Sequence, residues 1–252
     1  MYNYVKFVLM IVLAMTLVGL SACQNKAATA AKPMPLSLQA STLDEDWSIE
    51  WWIPRHEQKL RDKTKQEINL VFIGDSITHG WENEGQEVWG EYYGLRGGFN
   101  LGFSGDRTEN VLWRLRNGAL DGVSPKLIVL MIGTNNTGHR MDSAEDTFIG
   151  IKAIIDELIQ RTPSANILVL GLFPRGIELN DPMRERNARI NTHLPELSTH
   201  TNVYFRNIGE VFTENDGTIS EEIMPDFLHL SSAGYRLWAE AIEPDIIRLI
   251  GE

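Results

Sequence analysis

Three side chains in this sequence have the types and the spacing that nucleophilic catalysis requires. Ser76 follows an apolar run directly, in Gly74-Asp75-Ser76, and Asp226 lies three residues before His229. An imidazole can take the proton of a serine hydroxyl, and a carboxylate can hold that imidazole in the required tautomer. An Asp at this offset can reach Nδ1 from the same loop, which leaves Nε2 facing the serine. The pattern predicts Ser76 as nucleophile, His229 as base and Asp226 as the residue that orients it.

Each of these residues also has a purely structural explanation. A serine at the start of a helix commonly caps it, and an aspartate in a loop commonly caps a turn. A single histidine is more often a hydrogen-bonded structural residue than a catalytic one. The interpretation therefore depends on all three groups meeting in the fold.

A serine that attacks a carbonyl also needs hydrogen-bond donors for the oxyanion that forms. The Ser76 N–H is predicted at a helix N-terminus, where backbone donors are unpaired. Gly102 offers a backbone N–H with no side chain in the way, and Asn135 offers a side-chain amide at a strand end. We predict these three groups as the oxyanion hole. The alternatives are a tight turn at Gly102 and a turn or cap at Asn135.

Two residues near these motifs compete for the same chemistry. His79 lies three residues after Ser76 but has no evident carboxylate partner, so it is predicted to line the pocket rather than to act as base. Ser104, in Gly-Phe-Ser-Gly, is an unfavourable nucleophile because a Gly-x-Ser-x-Gly turn needs its second glycine one residue later.

Other polar and aromatic residues close to the motifs are assigned secondary roles. Arg107 and Glu109 are predicted as an ion pair or as capping groups, and His139 as a further residue lining the pocket. Trp81 and Trp89 could stack on a sugar ring or an acyl group, but buried packing is the commoner role of such side chains.

The elements that must position these residues are strands and helices. Apolar runs of strand length alternate along the chain with segments that have helical spacing of apolar residues. The predicted strands are Ile68–Ile73, Phe99–Leu101, Lys126–Ile132, Ile167–Leu172 and Val203–Ile208. The predicted helices are Thr108–Asn117, a long helix capped by Ser143, Arg184–Leu197 ended or kinked at Pro195, and a final helix interrupted at Pro244. Apolar strands separated by helices predict a parallel sheet in a three-layer α/β/α domain. Ligands of such sheets bind beyond the carboxyl ends of the strands.

Four short motifs, in this order, resemble the four blocks of the SGNH/GDSL hydrolases. They are Gly74-Asp75-Ser76, the 100–106 segment Asn-Leu-Gly-Phe-Ser-Gly-Asp, Gly133-Thr134-Asn135 and the 226–230 segment Asp-Phe-Leu-His-Leu. The resemblance covers about 180 residues, from Leu70 to the C-terminus. It implies a flavodoxin-like five-stranded parallel sheet and an esterase that acts through an acyl-enzyme. It also implies Ser76 as nucleophile, Gly102 and Asn135 as oxyanion donors, and Asp226 and His229 as acid and base.

Three longer stretches resemble a subfamily, the catalytic α subunits of intracellular platelet-activating-factor acetylhydrolase. They are residues 72–81, 105–115 and 125–136. The resemblance implies small acyl groups and leaves the alcohol half of the ester open. The leading hypothesis is a short-chain or carbohydrate O-acetyl esterase. The alternatives are a phospholipid or lysophospholipid acyl hydrolase and, from a different class, a non-catalytic surface protein that binds glycans.

The N-terminus predicts export. Residues 1–22 carry a single charge at Lys6, then an apolar run and small residues, which is typical of a signal peptide. Residues 20–22 together with Cys23 form Leu-Ser-Ala-Cys, which resembles the lipobox of bacterial lipoproteins. We predict a lipidated Cys23, a flexible tether over 23–43 and the hydrolase domain over 44–252. The alternatives are an uncleaved anchor helix and an ordinary signal with an incidental cysteine.

Composition and net charge argue against several classes of binding partner. The chain has 34 acidic and 23 basic residues and a net charge of −11, which argues against nucleic acid and against adsorption to anionic lipid. We therefore expect membrane attachment through the lipid alone, in the bacterial cell envelope and in the outer membrane if the cell is Gram-negative. Cys23 is the only cysteine, so no intrachain disulfide can form. No zinc, calcium or phosphate-binding pattern is evident, and no cofactor is expected beside the ester substrate.

Overall fold

The computed structural model describes residues 33–252. The predicted signal peptide, Cys23 and the first part of the predicted tether lie outside the described residues. Within residues 33–252, no helix is both long enough and apolar enough to cross a membrane.

One five-stranded parallel sheet forms the centre of the domain, in the order β2-β1-β3-β4-β5. The strands are β1 (Leu70–Gly74), β2 (Gly98–Gly102), β3 (Leu127–Met131), β4 (Asn166–Leu170) and β5 (Val203–Arg206). The α-helices of the described region are α1 (Trp52–Asp62), α2 (Ser76–His79), α3 (Gln86–Tyr92), α4 (Thr108–Arg116), α5 (Thr134–His139), α6 (Ala144–Arg161), α7 (Pro182–His193) and α8 (Ser232–Ile250).

Helices cover both faces of this sheet, because the strands are apolar on both sides. Every residue of β1 and β3 is buried. Helices α4, α6 and α7 pack together on one face, and α3 packs with α8 on the other. The three-layer α/β/α prediction is confirmed, and so is the cap of α6, where the Ser143 hydroxyl accepts the Asp146 N–H at 2.9 Å.

The two prolines predicted to break helices behave differently. Helix α7 ends at His193 and a 3-10 turn follows, as the position of Pro195 predicts. Helix α8 continues through Pro244, so the predicted interruption there is wrong. Ile242 and Ile246, on either side of the proline, are fully buried, and their packing keeps the helix continuous despite the lost hydrogen bond.

The domain begins earlier than the predicted boundary at residue 44. The compact unit starts at Met34, and Ser37 is buried in a short 3-10 turn. The Ser37 carbonyl accepts a hydrogen bond from the Thr108 hydroxyl at 3.0 Å, and Leu43 packs in an apolar cluster with Trp52. Residues 34–43 are therefore part of the domain rather than tether. The sequence of this segment does not reveal this, because the residues that hold it in place are far away in the chain.

Trp81 and Trp89 belong to the core rather than to a substrate site. The Trp81 ring is 1% exposed and lies 5.0 Å from Trp238 and 5.4 Å from Tyr93, centroid to centroid. Trp89 packs on Phe72 at 5.2 Å. The prediction of buried packing is confirmed for Trp81, whereas Trp89 is partly buried against the core.

Candidate active site

Three polar loops meet where the strand order reverses. Strand β1 lies between β2 and β3, so the segments that follow these three strands are neighbours at one edge of the sheet. Ser76 follows β1, the 103–106 loop follows β2, and Asn135 follows β3. This edge is where open parallel sheets bind their ligands.

The turn from β1 into α2 presents the Ser76 hydroxyl. The Asp75 side chain caps α2 by accepting the Ile77 N–H at 3.0 Å. A Cβ on Gly74 would lie 2.1 Å from the Thr78 hydroxyl, so only glycine allows this close turn. The Ser76 N–H is in the first turn of the helix and has no hydrogen-bond partner within the described region, which leaves it available to a ligand.

Ser76, His229 and Asp226 form a continuous hydrogen-bonded chain. His229 Nε2 lies 2.9 Å from Ser76 Oγ, and His229 Nδ1 lies 2.6 Å from Asp226 Oδ2. The structure therefore brings together the three residues that the sequence motifs single out. The distances are those needed for an imidazole to take the serine proton while a carboxylate orients its ring.

The loop between Asp226 and His229 is folded so that the Asp226 carboxylate contacts the His229 ring. Asp226 Oδ1 accepts the N–H groups of Leu228 at 3.1 Å and His229 at 2.7 Å, while Oδ2 holds the ring. Phe227 sits between them with φ +58°, an unusual conformation for a bulky residue. Partial burial raises the pKa of Asp226, but the hydrogen bonds from His229 outweigh it, and the pKa stays below its usual value. Asp226 is thus an ionised partner at neutral pH.

The loop after β2 corrects one predicted oxyanion donor. The Gly102 N–H donates to Asn100 Oδ1 at 2.7 Å, and a Cβ at Gly102 would lie 2.2 Å from the His79 backbone nitrogen. Gly102 is therefore a close-packing residue with an occupied donor. The Gly105 N–H, in contrast, has no partner among the described residues. Gly105 has φ +79°, which favours glycine, and this second glycine of the same motif is the signal that the sequence reasoning missed.

Asn135 is placed as predicted, with one donor in use and one free. Its Nδ2 donates to the Asp106 carbonyl at 3.0 Å, and an amide nitrogen carries two hydrogens. Asn135 is 3% exposed, so its orientation is held by packing as well as by this bond.

A buried ion pair supports the loop that carries Gly105. Asp106 accepts hydrogen bonds from Arg114 Nε at 2.8 Å and from Trp52 Nε1 at 2.6 Å, and both charged side chains are buried. The Arg114 guanidinium also lies 4.0 Å from the centre of the Phe103 ring. Burial raises the pKa of Asp106 to about 6, although Arg114 and Trp52 favour its ionised form.

Comparison with known proteins identifies the family. Residues 72–237 match the GDSL-like lipase/acylhydrolase family. The chain belongs to this family. It is therefore a carboxylic ester hydrolase with the SGNH/GDSL fold, and the predicted fold class and enzyme class are confirmed.

Relatives of this acylhydrolase include animal proteins. The chain is 40% identical over 200 residues to platelet-activating factor acetylhydrolase IB subunit alpha1 of Bos taurus, across 79% of this chain and 84% of the relative. The Homo sapiens protein of the same name is 39% identical over 202 residues, across 80% and 85% of the two chains.

Solved structures of bacterial proteins share the fold of this acylhydrolase. A GDSL-like lipase from Bacteroides thetaiotaomicron aligns with a TM-score of 0.60 at 20% identity, over 77% of this chain and 97% of its own. An acetylxylan esterase from Geobacillus stearothermophilus aligns with a TM-score of 0.56 at 20% identity, over 74% and 96%. At this identity the likeness concerns the fold alone.

The competing candidates near the motifs have other partners. His79 Nδ1 lies 2.9 Å from the Ser104 hydroxyl, so neither residue joins the Ser76–His229 pair. Burial and the neighbouring Arg55 lower the pKa of His79 to about 4, which keeps it neutral at neutral pH. Ser104 lines the same cavity as Ser76, whereas His79 lies behind it.

The remaining candidates are structural. Arg107 pairs with Glu45 at 2.6 Å and Glu109 pairs with Arg140, so the predicted pair of Arg107 with Glu109 does not form. His139 is not among the residues that line the cavity around Ser76, contrary to its predicted place. Within residues 33–252, no group of three His, Cys, Asp or Glu side chains is placed to hold a metal ion.

A cavity of about 510 Å³ opens beside Ser76 and His229. Hydroxyl, amide and carboxylate groups line it together with apolar surface. The polar side chains are Asn83, Glu84, Ser104, Asp226, Ser231 and Ser232, and the apolar surface comes mainly from Pro225, Leu230 and Tyr235. No Lys or Arg of the described chain lines it. The cavity therefore suits a ligand that combines hydrogen-bonding and apolar groups better than an anionic one.

The buried carboxyl of Asp75 predicts a pH-dependent stability. Complete burial raises its pKa to about 7, although the bond from the Ile77 N–H favours ionisation, and its Oδ2 has no partner. In the unfolded chain the pKa is about 3.9. The folded state therefore binds the proton more tightly, and stability falls as pH rises from about 4 to about 7.

Asp75→Asn keeps an acceptor for Ile77 and cannot ionise. We expect it to stabilise the domain by about 2–4 kcal/mol at pH 8 relative to its effect at pH 4. Urea unfolding of both proteins at pH 4, 6 and 8 measures this difference. Parallel pH profiles for the two proteins would show that Asp75 does not titrate in this range.

Proposed function

We propose that this acylhydrolase removes short acyl groups, acetyl above all, from hydroxyl groups of carbohydrates, with Ser76 as its nucleophile. The observation that carries the proposal is the chain Ser76 Oγ–His229 Nε2–Asp226 Oδ2, with separations of 2.9 and 2.6 Å, beside a cavity that hydroxyl, amide and carboxylate groups line and that no Lys or Arg of the described residues lines.

The proposed reaction has two halves. Ser76 Oγ attacks the ester carbonyl while its proton moves to His229 Nε2, and the tetrahedral intermediate collapses as His229 returns that proton to the leaving alcohol. A water molecule then loses a proton to His229 and attacks the acyl-enzyme, which releases the acid and restores the Ser76 hydroxyl. Asp226 stabilises the positively charged imidazole in both halves.

Three donors are available for the oxyanion. We assign the N–H groups of Ser76 and Gly105 and the second hydrogen of Asn135 Nδ2, with Gly105 replacing Gly102. The three residues follow three adjacent strands, and each offers a hydrogen that no described group accepts. Losing one such donor typically costs about 3–4 kcal/mol of transition-state stabilisation.

The cavity lining favours a short acyl group and a neutral alcohol. Burying an acyl chain contributes about 0.8 kcal/mol per methylene where apolar surface receives it, and the three apolar side chains of the lining, Pro225, Leu230 and Tyr235, can receive a short acyl group. The carboxylates of Glu84 and Asp226 repel a phosphate, whereas the hydroxyl and amide groups beside them can bind sugar hydroxyls.

A phospholipid acetyl ester is the second candidate. Its support is the 40% identity to platelet-activating factor acetylhydrolase IB subunit alpha1, which extends over most of both chains. An acetyl group is the shared element of the two candidates, and they differ in the alcohol.

Two substrate series test the proposal. With p-nitrophenyl esters, we expect kcat/KM to be highest at C2–C4 and at least tenfold lower at C10, because only three apolar side chains line the cavity beside Ser76. With acetate esters, we expect acetylated xylo-oligosaccharides to exceed a 2-acetyl ether phospholipid. An optimum at C10 would contradict the short-acyl assignment, and a preference for the phospholipid would favour the second candidate.

A further inference from the structure

Two stacked tryptophan side chains precede α1 next to the active-site loop, one exposed and one partly buried. Trp47 is 51% exposed, and its ring lies 6.2 Å from that of Trp51 at an interplanar angle of 26°. Trp51 is partly buried against the cluster of Leu43, Trp52 and Phe103. A tryptophan ring is normally buried to a greater extent than that of Trp47, so its exposure calls for an explanation.

Contacts link both rings to the catalytic cavity. Trp47 Cη2 lies 2.1 Å from where a Cβ on Gly105 would be, so the ring covers the glycine with the free N–H. The Trp51 ring lies 6.0 Å from His79, whose Nδ1 contacts the Ser104 hydroxyl in the lining of the cavity. The pair therefore flanks the loop on which the proposed oxyanion donor sits.

The segment that carries the rings is firmly attached to the domain. The buried Ser48 hydroxyl donates to the Leu43 carbonyl at 3.0 Å, and Trp51 Nε1 donates to the Trp47 carbonyl at 3.0 Å. The Glu45–Arg107 ion pair, at 2.6 Å, ties the segment to the start of α4. Both rings are thus held in place before any ligand arrives, which lowers the entropy lost on binding.

We propose that Trp47 and Trp51 form a subsite that binds a sugar ring in the alcohol half of the substrate, an inference that rests on the proposed function. One face of a pyranose ring presents C–H groups that pack on an indole, while its hydroxyls point outward to polar groups. The indoles supply the apolar contact, and the adjacent cavity supplies the hydrogen bonds.

The charges around the rings favour a neutral sugar over a lipid surface. Exposed carboxylates lie along the chain beside the pair, at Asp44, Asp46 and Glu50. Two basic side chains, Arg55 and Lys59, line a cavity together with Trp51, and both are paired with Glu82. An anionic bilayer or a phosphate group would be repelled here, because like charges close together raise the free energy of association. A neutral polyol meets no such penalty.

The test compares a sugar substrate with one that lacks a sugar. We expect Trp47→Ala and Trp51→Ala each to lower kcat/KM for acetylated xylotriose about tenfold more than for p-nitrophenyl acetate. Trp51→Phe should restore most of the difference. Tyr204→Ala is the matched aromatic control, because Tyr204 lies on β5, at the opposite edge of the sheet from β2, and it should leave the ratio unchanged.

Binding without turnover separates this inference from the proposed reaction. Calorimetry with Ser76→Ala should detect acetylated xylotriose, and adding Trp51→Ala should weaken its Kd about tenfold. If the wild type fails to hydrolyse the sugar ester while this binding difference persists, the proposed substrate is wrong and the subsite stands.

Two outcomes would contradict the proposed subsite. Equal losses of kcat/KM on acetylated xylotriose and p-nitrophenyl acetate would show that the rings only position Gly105. A loss confined to short-chain phosphatidylcholine would assign the rings to lipid. Either result overturns the proposal.

Discussion

Ser76→Ala is expected to lower kcat for p-nitrophenyl acetate by about 10⁴- to 10⁶-fold without unfolding the domain. The hydroxyl is the only nucleophile that the structure places within hydrogen-bond distance of His229 Nε2, at 2.9 Å, among the described residues. Alanine removes the oxygen that attacks the ester carbonyl. The imidazole and the oxyanion donors remain, but no acyl-enzyme can form. Stopped-flow and steady-state rates with circular dichroism as a folding check measure the effect.

Ser104→Ala is the matched control for this variant. Ser104 lines the same cavity, but its hydroxyl contacts His79 rather than His229, so we expect a loss of at most about tenfold. A fluorophosphonate probe should label the wild type and Ser104→Ala and leave Ser76→Ala unlabelled. If Ser76→Ala keeps half of the wild-type activity, or reacts with the probe, the nucleophile has been misassigned.

Arg114→Met is expected to lower the free energy of unfolding by about 3–5 kcal/mol. The substitution preserves much of the apolar volume over Phe103 but leaves the Asp106 carboxylate buried without its cation. The Asp106 carbonyl accepts a hydrogen bond from Asn135, and the residue before Asp106 is Gly105. Both neighbours are proposed oxyanion donors, so we expect kcat to fall as well. Guanidinium unfolding and kcat for p-nitrophenyl acetate measure the two effects.

Lys152→Met supplies the comparison for an exposed pair. Lys152 bonds Asp156 at 2.7 Å, but both side chains are largely exposed, so its loss should cost less than about 1 kcal/mol. Similar losses for the two variants would mean that the Arg114–Asp106 pair is not effectively buried. A loss of stability in Arg114→Met with unchanged kcat would show that the pair does not position the oxyanion donors.

The motifs singled out the residues that the structure brings together in a hydrogen-bonded chain, because much of the geometry of that chain is local. Asp226 and His229 are three residues apart in one turn, and Asp226 Oδ1 closes that turn while Oδ2 holds the ring. Ser76 follows a strand that any parallel sheet would bury at its centre, so its place at the carboxyl edge follows from the apolar pattern alone.

The sequence motif does not show which of its two glycines has a free N–H for the proposed oxyanion hole. Gly102 and Gly105 belong to one motif, and each could offer an N–H. Which one is free depends on Asn100, whose side chain takes the Gly102 donor, and on the approach of α2 to the end of β2. Both conditions come from the way two strands and a helix pack, which residue types do not specify.

The start of the domain was hidden for a similar reason. Residues 34–43 have the composition of a linker, yet Ser37 is held by bonds to Thr108 and Asp146, far along the chain. The same segment leads into Trp47 and Trp51. Trp47 lies against Gly105 and Trp51 lies against His79, and the linear sequence reveals neither contact.

Residue order alone pointed to the family through four motifs, predicted the α/β/α layering through the apolar periodicity, and singled out Ser76, His229 and Asp226 as candidates through short motifs. Folding decided which glycine N–H stays free, where the compact unit begins, and the charge and shape of the cavity. These features depend on hydrogen bonds and packing between groups tens of residues apart, and such pairings have no signature in a linear pattern.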